Sequence, residues 1–126
     1  MSALKILVLD DSEIILNVVS MELGQAGFEV LTANSLLEFD QVLKANEPNI
    51  IRTDIKMPEV SGDQICRVLK QKTATKNIPV VLFSTLSEAE LAALAERSGA
   101  DGYVCKLSGA EEIVKKIKTL VDEIVF

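Results

Sequence analysis

The chain has no histidine and no tryptophan, and only two cysteines and three prolines, among its 126 residues. Without histidine, any reactive site must be built from carboxylates, hydroxyls and amines. Cys66 and Cys105 fall within expected secondary-structure elements and show neither metal-ligand nor redox spacing, so they read as buried, reduced thiols. No Ser/Gly-rich or Pro-rich linker interrupts the chain, and residues 1–126 are expected to form one domain. Positive charge is scarce: the net charge is −6 and no Lys/Arg block exceeds Lys115-Lys116. A sequence-independent grip on nucleic acid needs concentrated positive charge, so direct binding to nucleic acid is not expected. No apolar stretch approaches the ~20 residues that span a bilayer. Met1-Ser2-Ala3-Leu4-Lys5 runs into a short strand-like segment instead of a secretory core. The expectation is a cytoplasmic protein with no membrane contact.

What the chain does contain is a unit repeated five times, a short apolar run followed by a segment of helical period. Helix one is expected over about Ser12 to Ala26, with Ile15, Val18, Val19 and Leu23 on one stripe and Gly27 just past its end. The second strand is expected from Phe28 to Ala33, followed by a helix to about Asn46. Ser35…Glu38, Ser61…Gln64, Ser87…Glu90 and Ser108…Glu111 each read as a capping box opening a helix. The last helix carries Ile113, Ile117, Leu120, Val121 and Ile124 at i, i+3, i+4 spacing. Strands one and four are apolar at successive positions, as strands buried on both faces are. The fold class is therefore α/β, a parallel sheet with right-handed crossovers and helices on both sides. Arg52 breaks the pattern, since a covered strand should bury it. It reads either as a guanidinium that snorkels to the edge or pairs with a carboxylate, or as a group that tunes nearby Asp54.

Four of the apolar runs end on different polar groups. Lys5–Leu9 ends on Asp10-Asp11, Asn49–Thr53 on Asp54, Pro79–Phe83 on Ser84, and Gly102–Cys105 on Lys106. If these are neighbouring parallel strands, their carboxyl ends share the edge where ligands bind in open α/β folds. Three carboxylates in one cleft would repel one another unless a hard cation intervened, and an incomplete oxygen cage suits Mg²⁺. Ser84 offers a hydroxyl and Lys106 a mobile point charge, both suited to phosphate oxygens. A carboxylate can itself be the nucleophile, as in aspartyl-phosphate formation. Singly these signals are weak. Asp-Asp after a strand also serves as a helix-start cap, and a lone Ser or Lys is usually a turn or a surface residue. Their joint placement at strand ends carries the inference.

With Asp10-Asp11, Asp54 followed by Met57-Pro58 and Gly62, Ser84, and Gly99-Ala100-Asp101-Gly102-Tyr103 leading to Lys106, the chain resembles the receiver domain of two-component response regulators over essentially its whole length. The resemblance implies a doubly wound, flavodoxin-like sheet of five strands in order 2-1-3-4-5 with five helices. It implies that Asp54 accepts a phosphoryl group from a histidine kinase or a histidine phosphotransfer protein. Asp11, Asp54 and the backbone carbonyl of Lys56 would ligate Mg²⁺, with Asp10 assisting through water. Lys106 would pair with Asp54 and then with the phosphoryl oxygens. Ser84 would move to the phosphoryl group and Tyr103 would swing inward behind it, although Tyr103 also reads simply as a half-buried strand aromatic. The output would pass to a separate downstream protein through helix four, strand five and helix five. Helix four contains Leu91-Ala92-Ala93-Leu94-Ala95, more apolar than one buried stripe needs.

Departures from the family pattern are also visible. The proline that usually follows the lysine, often through a cis bond, is replaced by Leu107. A non-proline cis bond costs ~2.5–4 kcal/mol, so either strain is stored or the loop is rearranged. The favoured expectation is a relaxed trans loop with Lys106 displaced from the acids. Thr85 replaces a smaller residue after the switch position, and Lys56 and Leu86 occupy variable flanking positions. Two readings compete with a phosphorylation switch. One is a receiver-like interaction module that is not phosphorylated. The other is an enzyme of different chemistry, but a haloacid-type phosphatase would need a second acid where Lys56 stands. A flavodoxin would need a phosphate-cradling loop where Asp10-Asp11 stands.

Overall fold

A computed structural model describes residues 4–106 and 109–125. Strands β1 (Lys5–Leu9), β2 (Glu29–Ala33), β3 (Ile50–Asp54), β4 (Val80–Ser84) and β5 (Gly102–Cys105) alternate with helices α1 (Glu13–Gln25), α2 (Leu36–Ala45), α3 (Gly62–Gln71), α4 (Glu88–Ser98) and α5 (Ala110–Val125). The strands form one parallel sheet in the order β2-β1-β3-β4-β5, the doubly wound order expected.

The alternation of the strands separates two cores. Leu7, Leu9, Ile51 and Leu82 face Phe39 of α2, Ile65, Cys66 and Leu69 of α3, and Leu91 and Ala95 of α4. Ile6, Val8, Ile50, Val81, Phe83 and Val104 face Leu16 and Leu23 of α1 and Ile117 and Val121 of α5. β3 and β4 are buried along their whole length, which explains why their sequences do not alternate. Each fully buried large aliphatic or aromatic side chain here contributes ~1.5–3 kcal/mol relative to exposure.

Helix starts follow the serines. Ser12, Ser35 and Ser87 accept the backbone N–H of Ile15, Glu38 and Glu90, and the side chain of Gln64 accepts Ser61 N–H. Glu38 departs from the expected box by accepting Asn34 N–H, one residue further back than the cap. The fourth box, at Ser108, lies outside the described residues, as does the side chain of Ile124. Gly27, directly after the α1 cap, has φ +100°, the left-handed conformation that glycine supplies without steric cost.

The expected α1 stripe is rotated. Leu16 and Leu23 are its buried residues, Ile15 is half-buried, and Val18 is exposed. Leu16 and Leu23, seven residues apart, mark the centre of the covered face, and the apolar side chains of Ile14, Val18 and Met21 lie on the opposite side of the helix, in solvent. Both cysteines are free as expected, but Cys105 is only half-buried. No described helix is long and apolar enough to cross a membrane.

Candidate metal and phosphoryl site

β1 and β3 are neighbours, and on each an acid follows the last pair of their shared ladder, Leu9 with Thr53. Asp10 and Asp54 are buried at 1% and 8% exposure, whereas Asp11, one residue into the loop, is exposed. One carboxylate oxygen from each of Asp10, Asp11 and Asp54 can be chosen so that all lie within 4.8 Å of one another. Asp10 is fixed from two sides. Its backbone N–H donates to Ala33 O at 3.1 Å, and its Oδ1 accepts Ser12 N–H at 3.0 Å.

The loop after Asp54 folds back onto the strand, and Gly62 makes this possible. Its N–H donates to Ile55 O at 3.0 Å. A Cβ on Gly62 would sit 2.2 Å from the Asp54 carbonyl oxygen, so no larger residue fits without moving the backbone of the acid itself.

Lys106 crosses from β5 to the acids, its Nζ 3.1 Å from Asp54 Oδ2 and 3.4 Å from Asp10 Oδ2. This corrects the expectation of a displaced amine. The attraction of two largely buried carboxylates, on the sheet face that Lys106 shares with them, outweighs the missing proline. The Lys106–Leu107 peptide bond itself lies outside the described residues. Burial pushes the Asp54 carboxyl above the usual carboxylate range, and Asp10 adds to this; the Lys106 ammonium pulls the other way.

Ser84 is buried at the end of β4, and its hydroxyl accepts Leu86 N–H at 3.2 Å. Tyr103 is half-buried, with Lys116 Nζ 5.0 Å from its ring centroid. Lys56 and Thr85 are exposed at the rim, and Leu86 packs against the α2/α3/α4 core.

Arg52 matches neither its snorkelling nor its paired reading. It is 5% exposed, its Nε and Nη1 have no hydrogen-bond partner, and its guanidinium lies 3.7 Å from the Phe83 ring centroid. Sequence reading missed Phe83 as its stacking partner. Strand parity could have placed Arg52 on the face of Asp54, but the stacking on Phe83 depends on the β3–β4 register. Lys70 was also missed, and its contact with Asp101 explains that acid: Nζ lies 2.7 Å from Asp101 Oδ2.

The chain matches the family model of the response regulator receiver domain over residues 6–118. It belongs to that family. Among relatives, this receiver domain is 35% identical to protein PilG of Pseudomonas aeruginosa over 120 residues, 94% of the chain and 87% of that protein. It is 29% identical to the DNA-binding dual master transcriptional regulator RpaA of Synechocystis sp., covering 93% of the chain but only 48% of RpaA. The fold of this receiver domain superposes on chemotaxis protein CheY4 of Vibrio cholerae with a TM-score of 0.85 and 26% identity, covering 94% of the chain and 99% of CheY4. Response regulator TrrA of Thermotoga maritima, whose structure is a complex with Mg²⁺ and BeF, matches with a TM-score of 0.79 and 27% identity. The match covers 93% of the chain and 98% of TrrA.

Proposed function

We propose that this receiver domain is a phosphorylation switch, with residues 1–126 acting as one unit and Asp54 as the phosphoacceptor. The observation that carries the reading is Asp54 held between two further acids with Lys106 Nζ 3.1 Å from its carboxylate. An Asp54 oxygen attacks phosphorus in a phosphohistidine of a histidine kinase or phosphotransfer protein. The new P–O bond forms as the P–N bond breaks, and the leaving imidazole takes up a proton. Lys106, 3.1 Å from Asp54, would follow the charge from carboxylate to phosphoryl oxygens, and Ser84 would give up Leu86 N–H and donate its hydroxyl to them.

The donor set suits a hard cation: carboxylate oxygens from Asp10, Asp11 and Asp54 cluster without nitrogen or sulfur ligands, as Mg²⁺ requires. Asp11, Asp54 and the Lys56 carbonyl would hold it, with Asp10 assisting through water. When bound it would supply charge neutralisation for the incoming phosphoryl group. TrrA, which holds Mg²⁺ and BeF, supports this reading.

The output face in this reading is α4–β5–α5. Lys116 of α5 reaches both the Tyr103 ring and, at 3.7 Å, Glu88 of α4, so an inward swing of Tyr103 would disturb a contact joining all three elements. Leu94 packs inward and uses part of the apolar surplus of α4. Exposed Ile14, Val18 and Met21 lie instead along α1, which starts directly after the acids, and a donor protein approaching Asp54 would cover them.

The deciding experiment is intact mass after incubation with a small phosphodonor, with Mg²⁺ or with chelator. A single phosphate adduct that needs Mg²⁺ and is absent from Asp54→Asn is the expected result. An adduct that persists in Asp54→Asn would overturn the assignment. No adduct in wild type would favour the non-phosphorylated interaction module.

A further inference from the structure

Arg52 is the one charged side chain buried within β3 whose chemistry the phosphotransfer reading leaves unused. Ile50 of the same strand belongs to the core under α1 and α5, and alternation puts Arg52 and Asp54 on that face too. Asp10 follows Ile6 and Val8 onto the same side, and Lys106 follows Val104. The guanidinium therefore lies on the same side of the sheet as three of the site's charged groups, one alternation below Asp54.

Burial of an unpaired guanidinium is costly, and Nε and Nη1 lack hydrogen-bond partners. Two features offset the cost. The ring of Phe83 receives the flat cation at 3.7 Å, a surface an arginine uses better than a lysine because its charge is delocalised and weakly hydrated. The fields of Asp10, Asp54 and Glu22 hold it charged, so that although burial lowers its pKa to about 10 it stays cationic at neutral pH. No acid forms an ion pair with it among the described residues, so its charge acts on the cluster through the field alone.

We propose that Arg52 is a resident countercharge of the acid cluster, a positioning residue whose fixed, buried positive charge on the same face of the sheet weakens Mg²⁺ binding by Asp10, Asp11 and Asp54. This rests on the reading of those acids as a Mg²⁺ site. Lys106 and Arg52 together set two positive charges against three negative ones, where Lys106 alone would set one. The incoming dication is repelled by a cation that cannot move out of its way, because strand and stacking hold it.

The test is calorimetric titration of Mg²⁺ into wild type, Arg52→Met and Arg52→Lys, with a thermal melt of each to establish folding. Arg52→Met keeps the length and apolar contact with Phe83 and deletes the charge. Removing a unit charge near a dication at an effective dielectric of ~20 tightens binding by tenfold or more. Arg52→Lys should stay within threefold of wild type, which loss of packing alone would not produce. If Arg52→Met does not melt cooperatively, Arg52→Gln is read in its place. Unchanged or weaker Mg²⁺ binding in the neutral variant, or equal tightening in both variants, overturns the countercharge. Absence of Mg²⁺ binding in wild type overturns the metal site beneath it, a separate result.

Discussion

The two edges of the sheet each carry a lysine–aspartate contact, and they are built in opposite ways. At the amino edge, Lys70 Nζ lies 2.7 Å from Asp101 Oδ2 and also donates to Ile78 O at 2.9 Å and Lys76 O at 3.4 Å. Asp101 Oδ2 in turn accepts Val80 N–H at 2.8 Å. One cation meets one anion, and the further side-chain hydrogen bonds go to the backbone that leads into β4. At the carboxyl edge, Lys106 is divided between Asp54 and Asp10, and Asp11 stands outside both contacts. A neutral pair with its bonds filled is structural cement. An excess of one charge, with bonds left open, is what the proposed Mg²⁺ site requires. The same two residue types thus serve opposite ends according to how fully they are satisfied.

The sharpest way to break this contrast is Asp54→Asn, which should abolish the phosphate adduct while Asp101→Asn leaves it intact, both read by intact mass. Next in size is Gly62→Ala. With its Cβ 2.2 Å from the Asp54 carbonyl oxygen, it should cost ~3 kcal/mol in denaturant unfolding, because the neighbour is backbone and cannot rotate away.

Magnesium should separate the edges directly. Saturation at a hundredfold excess over Kd should add about 2.7 kcal/mol of stability in wild type. Asp11→Asn should lose most of this and Asp101→Ala none, as measured by chemical denaturation across a Mg²⁺ titration. Asp101→Ala should cost ~2 kcal/mol irrespective of Mg²⁺, since it leaves Val80 N–H without its carboxylate partner.

The smallest effect expected is a pH dependence. The Asp54 carboxyl titrates higher in the folded chain than in the unfolded one, so its protonated form favours folding. That contribution is present in acid and is lost as pH rises through the folded-state pKa. The melting temperature of Asp54→Asn relative to wild type, without Mg²⁺, should therefore rise between acid and neutral pH. A flat difference would show that Lys106 fully compensates the burial of Asp54.

Much of the site was legible because its residues occupy strand ends, and a strand end is visible in one dimension. Asp10 follows Lys5–Leu9 and Asp54 follows Ile50 and Ile51, so each acid could be placed from its own neighbours. Serine caps located the starts of α1 to α4 in the same local way. Errors arose where a residue's fate depends on a distant strand. The substitution at Leu107 suggested a displaced Lys106, yet the position of that amine is set by acids on β1 and β3. Val18 was assigned to the covered face of α1 because a run of apolar residues does not reveal which of them points at the sheet.

The sequence alone determined the order of strands and helices, the sheet's parallel sense and the set of polar groups at its carboxyl edge, because these follow from period, capping and the run lengths of apolar residues. Only the tertiary structure decided that Lys106 bridges Asp54 and Asp10, that Lys70 closes the opposite edge on Asp101, and that Arg52 lies unpaired on Phe83. Each of these joins strands or helices far apart in the chain. Their partners depend on register and on which face each side chain takes, and both are fixed by the packing of the whole sheet between its helices.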